Sequence, residues 1–306
     1  MQMLARGLDA TTTFDELFGS EAELDTLLTL RRPQYLELQK TVGERELELF
    51  MAPFSSDQTQ GGVLVVIHDV TEQRKSEQSK REFVANVSHE LRTPLTNIKA
   101  YAETIISAGD ELPGEMRSNF LGVIVGEADR MTRIVQDLLT LSKIDYGKME
   151  MNISRFSFRK AVESVYEAAK LNAEQNHHHT MLLTEEEDIP EVNGDRERIE
   201  QVVTNIVSNA VKYTPDGGRI EIHVGKTGKN VYVRVSDNGI GIPEKDLPRL
   251  FDRFYRVDKA RSRESGGTGL GLSIAQEILK QHKGSIRIDS VYGEGTDVRI
   301  TLPAAE

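Results

Sequence analysis

The chain has 306 residues, 38% of them hydrophobic and 28% charged, and a formal net charge of −11. That length allows two or three domains, and the acidic balance excludes nucleic acid as the main partner, because phosphate binding needs basic surface. No cysteine occurs, which excludes disulfides, thiolate zinc sites and cysteine nucleophiles and is compatible with a reducing cytosol. The longest apolar run, "VLVVI" at 63–67, is far short of the ~18–20 residues of a membrane helix. No signal-peptide pattern opens the chain, so the sequence predicts a soluble protein.

Residues 1–70 end in two strand-like runs, "RELELFMAPF" and "GGVLVVIHDV", around the polar "SSDQTQGG". This predicts a β-hairpin closing a small α+β unit. Asp69 with Glu72 three residues on resembles a helix capping box. Residues 71–82 then form an exposed helical connector into a long helix, which stops at the turn "SAGDELPGE", 107–115. In the next helix Leu121, Ile124, Ala128, Met131, Val135 and Leu138 step by 3 and 4, the a/d spacing of a coiled-coil seam. Two such helices make an antiparallel hairpin over 83–147, and a hairpin that buries so little by itself predicts a dimeric four-helix bundle.

From 153 to 304 helices and strands alternate. Helices are expected at 158–175, 195–212 and 270–282, with strands "RIEIHVG", "NVYVRVSD", "SIRIDS" and "TDVRITLP". That order predicts an α/β sandwich with one helical face over a mixed or antiparallel sheet. The acidic run "TEEEDIPE" at 184–191 reads as a solvated loop. "HHH" at 177–179 reads as a metal ligand set or as a polar helix end.

Four stretches carry chemistry. In "FVANVSHELRTPLTNIKAY", Val84, Val87, Leu91, Leu95, Ile98, Ala102 and Ile105 make one apolar stripe. His89 falls off it, sharing its face with Arg92, Thr93 and Thr96, and Pro94 stands within the same helix. In "DRERIEQVVTNIVSNAVKY", Ile199, Val202, Val203, Ile206 and Ala210 form a buried face. Asn205, Asn209 and Lys212 line up beside it: a polar flank, or amide oxygens for Mg²⁺ with an ammonium for phosphate. "VRVSDNGIGIP" runs a strand into Asp237, Gly239 and Gly241. It is a tight turn, or a carboxylate that accepts the adenine amine beside glycines that let backbone approach the ring. "ESGGTGLGLSIAQEIL" sets Gly266, Gly267, Gly269 and Gly271 before a helix, an anion site in form. It matches neither the Walker pattern nor the dinucleotide fingerprint.

In this order the motifs resemble those of bacterial sensor histidine kinases, most closely the WalK/PhoR-like group, from about residue 60 onward. "SHELRTPL" is similar to the H box, "NIVSNAVKYT" to the N box, "DNGIGI" to the first glycine box, "LFDRFYR" to the F box and "GGTGLGL" to the second glycine box. The resemblance implies a multidomain α+β protein. A PAS-like unit, truncated or reduced, covers 1–70, and a dimerisation and phosphotransfer hairpin covers 83–147. A Bergerat-fold ATP-binding domain covers 153–304. The usual membrane helices of the family do not occur in this sequence, so the resemblance implies the cytoplasmic portion of an anchored sensor, membrane-bound only through missing N-terminal segments.

The implied activity is transfer of phosphate from Mg-ATP to His89 and on to an aspartate of a response regulator receiver domain, with phosphatase activity toward that regulator. Glu90 would accept the hydrogen of the other ring nitrogen, and Pro94, lacking an N–H, would let the helix bend there. Thr93 would hold a water for dephosphorylation. Asn209, helped by Asn205, would hold Mg²⁺, and Lys212 would meet phosphate. Tyr213 would pack on adenine, Asp237 would fix its amine, and Gly239 and Gly241 would shape that turn. Gly267, Thr268, Gly269, Leu270 and Gly271 would form the lid, with Arg256 near the γ-phosphate. Two other classes compete: a Bergerat-fold ATPase that drives a clamp, and a signalling scaffold without histidine phosphotransfer.

Overall fold

The computed structural model describes residues 14, 18, 22–30, 34–56, 59–257 and 267–305. Most of the "FDELFG" stretch and Gly266 lie outside the described residues. The chain divides into two compact units, Met1–Ala85 and Asn86–Glu306.

In the first unit a short helix, α1 (Leu24–Leu28), accompanies an antiparallel sheet of β1 (Leu36–Val42), β2 (Arg45–Ser56) and β3 (Thr59–Asp69) in that order. Alternation along β2 puts Leu47, Leu49 and Met51 on one face, where they join Leu27, Phe18 and Val65. A lone hairpin is marginal in water, and β1 supplies the third strand that makes the sheet stable. The strands also run further into the polar 55–62 segment than the sequence predicts. The unit is a small α+β body, and its PAS-like reading rests on sequence.

Helix α2 (Thr71–Ala108) leaves β3 directly. Its start differs from the expected capping box. Asp69 accepts from the amide and hydroxyl of Thr71, which hold its carboxyl below the usual range, and Glu72 pairs with Lys75. The helix continues through the buried Pro94 without interruption. After a 3₁₀ turn at Gly109–Glu111, α3 (Gly114–Asp145) completes the hairpin. Asn97 donates to Glu127 at 2.8 Å between the two helices, and the Tyr101 and Phe120 rings meet at 5.1 Å.

The buried positions of α3 within the chain are Arg130, Ile134 and Leu141, while Ile124, Met131 and Leu138 of the predicted dimer seam are half-buried. Leu121, Val125 and Leu139 remain 49–59% exposed. The hairpin therefore keeps an apolar face uncovered.

Beyond it, β4 (Ser154–Phe156) pairs with β6 (Val192–Gly194). A five-stranded mixed sheet follows, in the order β5 (Thr180–Glu185), β7 (Arg219–Thr227), β8 (Asn230–Asp237), β10 (Gly295–Pro303), β9 (Ser285–Val291), with β5 and β7 parallel. Helices α4 (Phe158–His177), α5 (Arg196–Tyr213) and α6 (Gly271–Gln281) pack in this lobe. Ser157 and Asp195 cap the first two by accepting from Lys160 and Arg198 amides. Ile199, Val202, Val203, Ile206 and Ala210 are all buried, in a lobe whose core also holds Ile222 and Val235 of the sheet and Ile274 and Ile278 of α6.

The acidic run is not a free loop. Thr184 and Glu185 belong to β5, and Glu186 accepts from the Lys226 amide at 3.1 Å and the Tyr232 hydroxyl at 3.2 Å.

Candidate active site

His89 is exposed on α2, and the Thr93 hydroxyl donates to its carbonyl at 3.3 Å. That bond uses the hydroxyl hydrogen and leaves the oxygen able to accept from a water. Glu90 behaves differently from the expectation. Neighbouring helix positions diverge by about 100°, so Glu90 faces the hairpin seam while His89 faces outward. Its Oε2 receives Arg130 at 3.1 Å from α3 and Arg256 at 3.0 Å from the following lobe. Arg256 and Glu90 are only 7% and 18% exposed, which makes this a largely desolvated cluster. Arg256 also donates to the carbonyl of Gly267, so it joins the glycine-rich segment to Glu90.

The N-box and glycine-box residues do come together. Asn205 donates its amide N–H to the Gly271 carbonyl at 3.2 Å, at the N-terminus of α6. A carbonyl only accepts, so this bond fixes the amide with its nitrogen toward Gly271 and its oxygen available to a cation. Asn209, one turn on, is half-buried on the same helix. The Lys212 ammonium lies 4.8 Å from the centre of the Tyr213 ring.

The Tyr213 carbonyl accepts from the Ile240 amide at 3.1 Å, and Asp237 accepts from the Gly239 amide at 2.9 Å. A Cβ on Gly239 would stand 2.5 Å from the Tyr213 carbonyl oxygen, so only glycine fits between helix end and turn. Gly241 has φ +64° and closes against the Val291 carbonyl. Burial pushes the Asp237 carboxyl up, against hydrogen bonds from the Gly239 and Thr296 amides. Gly269 has φ +72° and its carbonyl accepts from Phe254 at 2.9 Å, which links the second glycine box to the F box. The Thr268 hydroxyl accepts from the Leu270 amide at 3.2 Å, within the same turn.

The contacts that join this lobe to the hairpin carry no local sequence signal on the hairpin side. Arg253 donates to both oxygens of Asp145 at 2.8 and 2.6 Å, and Thr268 donates to Asp137 at 2.9 Å. Burial pushes the Asp137 carboxyl up, while the Thr268 hydroxyl and the Arg133 charge oppose the rise. Arg130 is the one hairpin residue that periodicity could have revealed, as a charge at a position flanking the apolar seam.

Residues 79–147 match the His Kinase A (phospho-acceptor) domain, and 194–306 match the histidine kinase-, DNA gyrase B- and HSP90-like ATPase family. The sensor histidine kinase WalK of Bacillus subtilis is 40% identical over 98% of this chain and 48% of its own length. The sensor protein kinase WalK of Staphylococcus aureus is 42% identical over 79% of this chain and 58% of its own. The chain thus spans about half the length of the curated relatives it matches.

Among solved structures, the Acinetobacter baumannii histidine kinase AdeS aligns with a TM-score of 0.58 at 27% identity, over 71% of this chain and 98% of that one. Histidine kinase ThkA, solved in complex with response regulator TrrA, aligns with a TM-score of 0.58 at 25% identity, over 89% and 79%. A phospho-acceptor domain followed by this ATPase domain, in a chain with relatives at such identity, belongs to the two-component sensor histidine kinases of the WalK-like group.

Proposed function

We propose that the chain phosphorylates His89 from Mg-ATP and passes the phosphoryl group to an aspartate of a response regulator receiver domain. The observation that carries this reading is the Arg256–Glu90 contact at 3.0 Å. It joins a guanidinium beside the glycine-rich segment to the residue next to the exposed histidine. In the transfer, an imidazole nitrogen of His89 forms a bond to the γ-phosphorus while the bond to the β–γ bridging oxygen breaks and ADP leaves. Arg256 turns from the carboxylate to the phosphate, and Glu90, still paired with Arg130, turns its other oxygen from the seam toward His89 to take the hydrogen of the other ring nitrogen. Asp237, Tyr213, Gly239 and Gly241 form the adenine side, and Lys212 with the 267–271 turn forms the phosphate side. The amide oxygens of Asn205 and Asn209 suit Mg²⁺, which neutralises phosphate charge when bound.

The exposed Leu121, Val125 and Leu139 support a homodimer in which two hairpins make a four-helix bundle. Residues 1–70 are the PAS-like sensor unit, 71–82 the linker, 83–147 the dimerisation domain and 153–304 the ATP domain of a membrane-anchored sensor's cytoplasmic portion. Incubation with γ-labelled ATP tests the reading. Label that is stable to alkali and lost in acid, and that moves to a receiver domain, is expected. Steady release of phosphate with no label on the chain would instead identify a clamp ATPase.

Thr93 separates the two directions of phosphate flow. Its hydroxyl takes no part in the attack by imidazole, but its oxygen is positioned to hold a water for hydrolysis at the partner's aspartate. Thr93→Ala is expected to keep autophosphorylation near wild type and to slow dephosphorylation of the regulator by roughly tenfold or more. The decay of labelled regulator in the presence of the variant and nucleotide measures this. A parallel fall in both activities would contradict the assignment.

A further inference from the structure

The three-histidine run is neither a metal ligand set nor a plain helix end. Among the described residues no group of three metal-ligating side chains forms. Instead all three histidines meet the turn that follows α5. His178 ends α4 with φ +52° and lies 3.4 Å from Asp216. The ring of His177 stacks on that of His179 at 5.2 Å, and its carbonyl accepts from the Gly217 amide at 3.1 Å. His179 is 2% exposed, and its Nε2 lies 3.1 Å from the carbonyls of both Thr214 and Pro215.

Both neighbours of Nε2 only accept, so Nε2 carries the hydrogen and shares it between them. Nδ1 is buried with no partner, the bare lone pair of that same tautomer. The Thr180 amide adds a bond to the Gly218 carbonyl at 2.9 Å.

This turn matters because of what it joins. Thr214 leaves helical geometry at φ −89°, ψ 127°, and Pro215 cannot extend the helix. The helix ladder no longer holds these two carbonyls; His179 holds both, and the Gly218 amide also donates to that of Pro215 at 3.0 Å. Immediately before them stand Lys212 and Tyr213. Immediately after, the Arg219 amide donates to Asn238 at 2.7 Å, between Asp237 and Gly239. Gly239 packs on the Tyr213 carbonyl with no room for one more carbon. A shift of the turn therefore moves the Tyr213 wall and the Asp237 wall relative to each other.

We propose that His179 is a positioning residue for the nucleotide site, fixing the spacing of its adenine side through the Thr214–Pro215 carbonyls. The inference rests on the adenine assignment made above. The test uses the full chain with His179→Phe, which keeps the ring and removes the donor, and His179→Gln, whose amide nitrogen can reach where Nε2 stood. ATP binding by calorimetry and the kcat and KM of autophosphorylation are the readouts.

His179→Phe is expected to weaken binding and raise KM about tenfold, the factor of one hydrogen bond, with kcat within about twofold of wild type. His179→Gln is expected to recover most of the loss. If the phenylalanine variant does not fold, His179→Asn, one carbon too short, gives the same contrast against His179→Gln. Unchanged affinity without the donor, or equal losses in the glutamine variant and its partner, would overturn the proposal. Binding is read independently of phosphoryl transfer. A wild type that binds ATP and takes no label defeats the kinase reading, and the affinities of the variants still decide the role of His179.

Discussion

Replacing His89 with glutamine is expected to abolish incorporation of label from γ-labelled ATP and to leave ATP affinity and thermal unfolding unchanged. The imidazole is exposed on α2 and belongs to no packed cluster. A surface substitution of that kind changes stability by less than about 0.5 kcal/mol, and glutamine suits a helix well. The residues proposed to bind nucleotide lie in α5, β8 and the turns around 239–241 and 267–271, and none of them contacts the His89 ring. The loss is therefore chemical: among the described residues His89 shares its face with Arg92, Thr93 and Thr96, none of which offers an imidazole nitrogen to phosphorus. Residual label on the purified variant would assign the acceptor elsewhere.

Asp237→Asn is expected to produce opposite effects on stability and binding. Burial raises the carboxyl's pKa in the folded protein, with Asp297 adding a smaller push in the same direction. The folded state then holds the proton more tightly than the unfolded chain does. Stability falls as pH rises from the ordinary carboxylate range through the raised value, and the full penalty is present at neutral pH. The neutral amide keeps an oxygen for the Gly239 N–H and removes that penalty. The nucleotide-free variant should melt higher than wild type at pH 7, and the gain should disappear below the ordinary carboxylate range. ATP binding should weaken by about 1.5–3 kcal/mol, because the amide nitrogen now faces the adenine amine, donor against donor. Calorimetric melting and binding titrations read the two effects. A lower melting temperature at pH 7, or unchanged affinity, would contradict the argument.

The periodic parts of this chain are legible from its residues alone. The face of α5 from Ile199 to Ala210 follows from steps of three and four, and β8 from its alternating valines. The three-residue strands β4 and β6 are not legible, since three residues carry no period. β1 does alternate Leu36, Leu38 and Val42, but its charged and amide positions mask it. Within the hairpin α3 buries Arg130 and Ile134, one position before the a/d series. That stripe carries Glu127, Arg130 and Asp137, so apolar periodicity cannot find it, and an ion pair to α2 and a hydrogen bond to the lobe bury it instead.

The candidate site divides the same way. Turn chemistry points to Asp237, Gly239 and Gly269, whose backbone must bend or approach closely. Asp145 and Arg253 are 108 positions apart; Arg253 lies within the F-box resemblance, but nothing local marks Asp145 or their pairing. His179 is indistinguishable in sequence from its exposed neighbour His178, and only burial separates them.

The single oxygen of Glu90 that holds both guanidiniums has a thermodynamic consequence. Arg130 belongs to the same hairpin as Glu90 and stays with it, whereas Arg256 arrives with the lobe. An anion that draws Arg256 away must compete with that carboxylate, so lobe docking and anion capture by Arg256 are linked equilibria. By reciprocity, whatever factor docking removes from anion affinity, the anion removes from docking. If the anion is the γ-phosphate of the proposed nucleotide, this part of the lobe's hold on the hairpin weakens as nucleotide concentration rises.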